Sequence, residues 1–232
     1  MDAKRAFIHR LFSTIAPRYD WFNRLASINL DRGWRRRAVA KSELGNGMTV
    51  LDVCTGTGDL ALACADRLQG QGRVVGLDFN AAMLRPASHK AQRRRLSVQW
   101  LRGDALNLPF GSGTFDRVFI GFSTRNLSDL QAGVQEMHRV LKPHGRLVIL
   151  ETGRPSNRLV LAGYLVFLGT VARLIGLCLT GRLWPFTYLA RSVKEFLRPP
   201  EFVALMDRCG FQASSLPLSM GLAMLYLAEK PA

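Results

Sequence analysis

The 232-residue chain is poor in the residues that build covalent or metal-held scaffolds. Its four cysteines, Cys54, Cys64, Cys178 and Cys209, lie far apart and form no CxxC pair. This excludes a disulfide framework and offers no zinc spacing. Its four histidines, His9, His89, His138 and His144, have no partner at metal-ligand spacing, so no metal is expected. There is no internal repeat and no low-complexity tract. The N-terminus, MDAKRAFIHRLF, lacks a long apolar stretch, so no secretory signal is read and a reducing, cytoplasmic setting is the expectation. Acidic residues are also scarce: 17, against 32 Lys and Arg, for a net charge of +15.

Such a field favours an anionic partner, nucleic acid or a membrane surface, unless the arginine excess is only a coding bias. Its distribution is uneven. Residues 1–41 hold ten basic groups against three acids, and residues 85–102 hold six against none. Between them, residues 42–84 carry a net charge of −3. A basic chain thus contains an acidic island.

Residues 4–44 read as short helices, with Phe7, Leu11, Phe12 and Ile15 on one face and Pro17 breaking the run. Strands are expected at Thr49–Cys54, Arg73–Asp78, Val98–Arg102, Phe115–Gly121 and Arg146–Glu151. Helices are expected at Asp59–Leu68, Ala81–Arg94 and Leu130–Leu141. This alternation predicts an α/β fold with a doubly wound, mostly parallel sheet. A helix over Glu201–Arg208 and strands over Phe211–Leu216 and Leu222–Ala228 close the chain as an antiparallel edge pair, for seven strands in all. One domain over 1–232 is expected: a helical flap (1–44), a core (45–154), an inserted segment (155–197) and a C-terminal helix with strands (198–232).

The insert breaks the alternation. Residues 159–181 are apolar apart from Arg173 and long enough to span a bilayer. Arg173 would cost about 2.5–3.5 kcal/mol near a helix centre, and Gly163, Gly169 and Gly176 weaken a span further. A lid, core or interfacial helix pair is the expectation.

The acidic island holds the motif that carries chemistry. Strand Val50-Leu51-Asp52-Val53-Cys54 runs into Thr55-Gly56-Thr57-Gly58-Asp59-Leu60-Ala61, and Asp78 ends the next strand. Gly56, Gly58 and Ala61 satisfy the glycine pattern of a dinucleotide loop. Asp59 argues against a dinucleotide, because a carboxylate at the helix start repels pyrophosphate. The acids Asp52, Asp59 and Asp78 suit a cation. S-adenosylmethionine has a sulfonium, an ammonium, one carboxylate and no phosphate. Asp52 would then orient the loop or meet the ammonium through water, and Asp78 would accept the ribose hydroxyls. Asp59 also serves as a helix cap in the plainer reading. In Gly103-Asp104-Ala105, Asp104 is either an adenine partner or an ordinary turn aspartate.

With these residues in view, the chain resembles the class I S-adenosylmethionine-dependent methyltransferases, and more closely the menaquinone/ubiquinone biosynthesis C-methyltransferase family. The resemblance spans most of residues 11–230. It rests on Ala16-Pro17-Arg18-Tyr19-Asp20 with Asn23, on Thr55–Asp59, on Leu108-Pro109-Phe110, on Arg125-Asn126, on Arg139-Val140-Leu141-Lys142-Pro143 and on Tyr188-Leu189-Ala190-Arg191-Ser192. The cofactor half follows the family pattern. The acceptor half departs from it at Phe122-Ser123-Thr124, at Thr152-Gly153, at Tyr226 and at Leu197 with Pro199-Pro200.

The resemblance implies a Rossmann-like methyltransferase fold with S-adenosyl-L-methionine contacts at Thr57, Asp78, Asp104, Ala105 and Gly121. It implies methylation of a ring carbon on a prenylated quinol, demethylmenaquinol first, with a ubiquinone-pathway benzoquinol or another lipid or small molecule as alternatives. Arg125 would stabilise anionic oxygen, and Asn126 would bond a ring oxygen or cap a helix. Tyr19 and Asp20 would relay a proton, or only pack and cap. The apolar insert would wall a prenyl channel or dip into the interface. The basic N-terminal region and Arg93-Arg94-Arg95 would hold the protein on anionic lipid at the inner face of a membrane. A homodimer is compatible with all of this. Nucleic acid is not the expected partner, since neither an N-P-P-Y motif nor a Pro-Cys after a strand is present. A non-catalytic cofactor-binding protein remains the other class.

Overall fold

The computed structural model describes residues 3–155 and 157–232. Three helices open the chain: α1 (Ala3–Ile15), α2 (Tyr19–Ala26) and α3 (Leu30–Lys41). Pro17 sits in a single 3₁₀ turn between the first two, where its missing N–H costs little.

The sheet core follows as β1 (Thr49–Val53), α4 (Asp59–Leu68), β2 (Arg73–Asp78), α5 (Ala81–Arg94), β3 (Gln99–Arg102), β4 (Phe115–Gly121), α6 (Leu130–Val140) and β5 (Leu141–Thr152). Then come α7 (Arg158–Gly169), α8 (Val171–Thr180), α9 (Trp184–Glu195), α10 (Pro199–Arg208), β6 (Gln212–Leu218) and β7 (Ala223–Glu229). The seven strands lie in the order β3-β2-β1-β4-β5-β7-β6. β1 to β5 are parallel, and β7 runs antiparallel to both β5 and β6.

The expected strands and helices form, with three ends moved by more than one residue; one is the end of β6, which runs on from the predicted Leu216 to Leu218. Helix α10 starts at Pro199-Pro200 rather than Glu201, because proline suits a first helical turn and Glu201 accepts the Arg198 N–H. Strand β5 starts at Leu141, five residues before the predicted Arg146. Lys142-Pro143 ends α6 as expected, but Leu141 still pairs with Phe115, and the register then shifts until Arg146 meets Arg117. Pro143, His144 (φ 58°) and Gly145 lie in that irregular stretch, which tolerates a residue without an N–H.

β1 is buried on both faces, as a central parallel strand must be. The chain winds outward from β1 through β2 to β3, then restarts at β4 on the other side. A crevice therefore opens at the carboxyl ends of β1 and β4. Both strands leave the sheet through a left-handed residue that is not glycine, Cys54 (φ 54°) and Phe122 (φ 56°). Such residues cost about 1–3 kcal/mol each and cluster at functional sites.

The apolar stretch forms the expected pair of helices, α7 and α8, and the insert adds a third, α9. Arg158–Thr180 is apolar and long enough to cross a membrane by length and composition, but the chain bends at Thr170 (φ −123°, ψ −76°) between α7 and α8. Leu168, Ala172, Phe186 and Val193 of the insert share a core with Leu11, Ile15 and Phe22 of the N-terminal helices. Phe22 and Phe186 stack at 4.4 Å. Gly176 makes the close approach possible, since a Cβ there would lie 2.1 Å from the Phe186 ring.

Candidate active site

Two cavities meet at the carboxyl ends of the central strands. The first encloses about 940 Å³ and contains Asp52, Thr55, Gly56, Thr57, Asp59, Asp78, Asp104, Ala105 and Gly121 in its lining. The structure thus brings together nine of the ten residues expected around the cofactor. The tenth, Gly58, supports the loop from behind. It has φ 82°, and a Cβ there would lie 2.6 Å from Trp100. The loop is compressed onto β3 in a backbone conformation that only glycine takes without strain.

The acids organise this loop before any ligand is considered. Asp52, fully buried, accepts the Thr55 hydroxyl at 2.5 Å and the Ala61 N–H at 3.0 Å. It thereby caps α4 from the strand. Asp78 accepts the Gly56 N–H at 2.8 Å and the Asn80 N–H at 2.9 Å. The Thr55 and Gly58 amides also bond inward, to Leu77 and Thr55 carbonyls. The amides of Thr55, Gly56, Gly58 and Ala61 are therefore spent on the protein's own oxygens and not offered to a pyrophosphate.

Two of the expected carboxylates are not bare, which revises the simple picture of an acidic ring. Lys90 of α5 bridges Asp59 and, at 2.9 Å, Asp20. Arg5 of α1 meets Asp104 at 2.8 Å. Asp59 is held below the usual carboxylate range by Lys90 and Arg35, against the opposing effect of burial. What remains facing a cation is the Asp52–Asp78 pair, both pushed up by burial. The residues present fit S-adenosylmethionine: four amides of the loop and helix start are taken by protein oxygens, carboxylates stand where a pyrophosphate would lie, and the Asp78 carboxylate has two oxygens, each with one acceptor position left after its N–H bond.

Burial raises the Asp52 carboxyl to about 7 from 3.8, and the Thr55 and Ala61 hydrogen bonds pull only partly the other way. The folded protein thus holds this proton more tightly than the unfolded chain. The contribution to stability is full below about pH 4 and is lost as pH rises through about 7. At ~1.4 kcal/mol per pKa unit the loss is on the order of 4 kcal/mol. Denaturant unfolding between pH 4 and 8 should show wild type losing that much relative to Asp52→Asn. Parallel curves would contradict it.

The second cavity encloses about 1520 Å³ and is largely apolar. Its walls come from α1 to α3 (Leu11, Ile15, Phe22, Leu30) and from the insert (Val160, Tyr164, Phe167, Leu168, Phe186, Leu189). Phe12, Tyr19, Arg35 and Asn126 line both cavities and mark where they join.

The four expected catalytic residues separate here. Tyr19 and Asn126 lie at the junction. Burial raises the Tyr19 phenol, and the Asn23 hydrogen bond with Arg35 and Arg125 only partly offsets this, so the phenol keeps its proton at neutral pH. Tyr188 donates its hydroxyl to Asn126 Oδ1 at 3.1 Å. Arg125 lines the apolar cavity but is not a free cation: its Nη1 pairs with Glu151 and bonds Phe122 O, and its Nε reaches Ser192 Oγ at 3.3 Å. Nη2 is the guanidinium nitrogen without a protein partner among the described residues.

Asp20 lines neither cavity, so the expectation of a proton relay there is corrected. It accepts the Thr57 hydroxyl at 2.6 Å and an Nζ–H of Lys90, and it latches the N-terminal helices to the cofactor loop. Sequence reasoning missed Lys90, Arg5, Arg35 and Glu151. Glu151 carried a signal, an acid at the end of a buried strand, which is rare unless paired.

Comparison with known proteins places the chain in a family. The model of the ubiE/COQ5 methyltransferase family matches residues 1–230. A Thermus thermophilus protein named demethylmenaquinone methyltransferase is 41% identical over 221 residues, covering 95% of this chain and 100% of its own length. One of the same name from Deinococcus radiodurans is 40% identical, over 96% of this chain and 92% of its own. A Geotalea uraniireducens protein named ubiquinone/menaquinone biosynthesis C-methyltransferase UbiE is 40% identical, over 96% of each. Among solved structures, an S-adenosylmethionine-dependent methyltransferase from Aquifex aeolicus superposes with a TM-score of 0.63 at 20% identity, over 84% of this chain and 88% of that one, and shows the fold. The chain belongs to the ubiE/COQ5 methyltransferase family and is an S-adenosylmethionine-dependent methyltransferase.

Proposed function

We propose that the chain methylates a ring carbon of a prenylated quinol, with demethylmenaquinol as its acceptor, and that it works in the cytoplasm at the inner face of a membrane. One observation carries the reading: a large, mostly apolar cavity joins the cofactor cavity at a polar junction made by Tyr19, Arg35 and Asn126, as a ring with an isoprenoid tail requires. A polar or zwitterionic acceptor would leave those walls wet and gain nothing from them.

Bound S-adenosylmethionine supplies an electrophilic methyl group on its sulfonium. Asp78 would hold the ribose, Asp104 and the Ala105 backbone the adenine edge, and Thr57 and Gly121 would close the sides. Asp52 fixes the loop. At the junction, Asn126, with its Oδ1 occupied by Tyr188, turns its Nδ2 donor to a ring oxygen. Tyr19 keeps its proton and donates to the second ring oxygen. The phenolic proton passes to water, and Arg125 Nη2 stabilises the phenolate left behind, which makes the neighbouring carbon nucleophilic. The ring is thereby oriented before the methyl arrives, which is where most of the available acceleration lies.

The test is transfer of a labelled methyl from S-adenosylmethionine to demethylmenaquinol and to the matching benzoquinol. Labelled menaquinol is the expected product. Label on neither quinol would overturn the reading, and label on the benzoquinol alone would move the acceptor.

A further inference from the structure

The apolar residues on the outside of the molecule are not scattered. Leu30 and Ile28, at the turn between α2 and α3, line the acceptor cavity and are exposed on its rim. Trp21 and Leu25 continue this surface along α2, which packs against α8. Across the cavity, Leu159 and Val166 are exposed on α7, next to the lining residues Val160 and Phe167, and Leu174 and Leu177 are exposed on α8. Leu159 is 84% exposed and Ile28 77%.

The turn is held in this shape against its own backbone preference. Ile28 (φ 50°) and Asn29 (φ 60°) are both left-handed. For a β-branched residue that conformation is a true outlier, and burial does not repay it, because Ile28 points largely into solvent. The charge around the patch is mainly positive, its flanking acids Asp20 and Glu195 being paired with Lys90 and Arg191. Residues 152–194 carry six basic groups and no acid, and residues 21–30 carry Arg24 and no acid. Arg24 lies over the Trp21 ring at 5.8 Å, an arrangement suited to the boundary between apolar and polar phases. On α3, Arg32, Arg36 and Arg37 are exposed, while the one acid of that helix, Asp31, is buried against Arg35.

We propose that this face, the α2–α3 turn with the outer sides of α7 and α8, docks on the anionic leaflet of a bilayer, and that the acceptor cavity opens directly into the lipid through it. The exposed apolar side chains of α2, the α2–α3 turn, α7 and α8 enter the acyl boundary while the surrounding arginines meet phosphate headgroups, each basic group raising affinity about fivefold. The docking contact differs from the one expected from sequence: Arg93, Arg94 and Arg95 end α5 and line neither cavity, and Arg94 pairs with Asp66. The role of the opening rests on the prenylated-quinol reading; the docking does not.

The test uses the double variant Leu159→Glu/Val166→Glu, whose positions line neither cavity. Sedimentation with phosphatidylcholine vesicles, with and without phosphatidylglycerol, reads the docking. Wild type should bind the anionic vesicles, and the variant should bind about a hundredfold more weakly. Methylation of a long-tailed quinol held in those vesicles should fall in step, while methylation of a tailless, water-soluble quinol stays unchanged. Equal vesicle binding by wild type and variant overturns the proposal. So does a wild-type dimer, indifferent to vesicles, that the variant turns into monomers, since a second copy would then be the occupant. Vesicle binding as expected with neither quinol methylated leaves the docking face standing and removes the quinol reading.

Discussion

Glu151→Ala is expected to lower the stability of the fold by about 3–5 kcal/mol, the usual cost of leaving one member of a buried ion pair alone. Glu151 is fully buried, and the Arg125 side chain is 9% exposed. The carboxylate takes the Arg125 Nη1–H, the Thr124 hydroxyl at 2.6 Å and the Thr152 N–H at 2.8 Å. Each of these donors loses its partner in the variant. Replacing both residues, as Glu151→Leu with Arg125→Met, should restore much of the loss, since apolar packing of similar volume often matches a buried pair. Chemical denaturation of the two singles and the double closes the cycle. A Glu151→Ala protein as stable as wild type would mean that water reaches the pair.

Catalysis should respond differently. Arg125→Lys keeps a cation opposite Glu151 and should fold, yet a lysine has no planar fork and cannot hold Glu151 while offering a second nitrogen to the ring oxygen. We expect kcat to fall by about 10²–10³-fold, the loss found when one preorganised donor to a developing oxyanion is removed. KM for S-adenosylmethionine should barely move, because Arg125 lines the acceptor cavity and not the cofactor cavity. A variant with normal kcat and a raised KM for the quinol would assign Arg125 to acceptor binding alone.

Much of the architecture was legible in the order of residues. Alternation of Val-rich segments with helical periodicity fixes the parallel core, and Gly56, Gly58 and Asp78 fall where the loop needs them. Reading failed where the deciding contact is distant in sequence. Asp59 and Asp104 look like free acids until Lys90 and Arg5 fold onto them, from 31 residues away in the first case and from the first helix of the chain in the second. Asp20 looks catalytic beside Tyr19, yet one helical position turns it from the cavity to Thr57. The start of β5 was missed because proline and glycine mark a loop locally, while the pairing of Leu141 with Phe115 is a property of the sheet.

Arg5, Ile8 and Phe12 of α1 form part of the cofactor cavity wall, Arg5 holds Asp104, and the Asn80 amide donates to His9 O at 3.1 Å and to Ser13 Oγ at 2.9 Å. Of these contacts the Arg5–Asp104 pair is inexpensive to break: it is about one-third exposed on each side, and such pairs contribute about 0–1 kcal/mol. The wall that α1 places on the cofactor cavity is thus fastened at one point by a salt-sensitive pair, so rising ionic strength weakens that fastening and leaves the buried Leu11 and Ile15 contacts of the same helix in place.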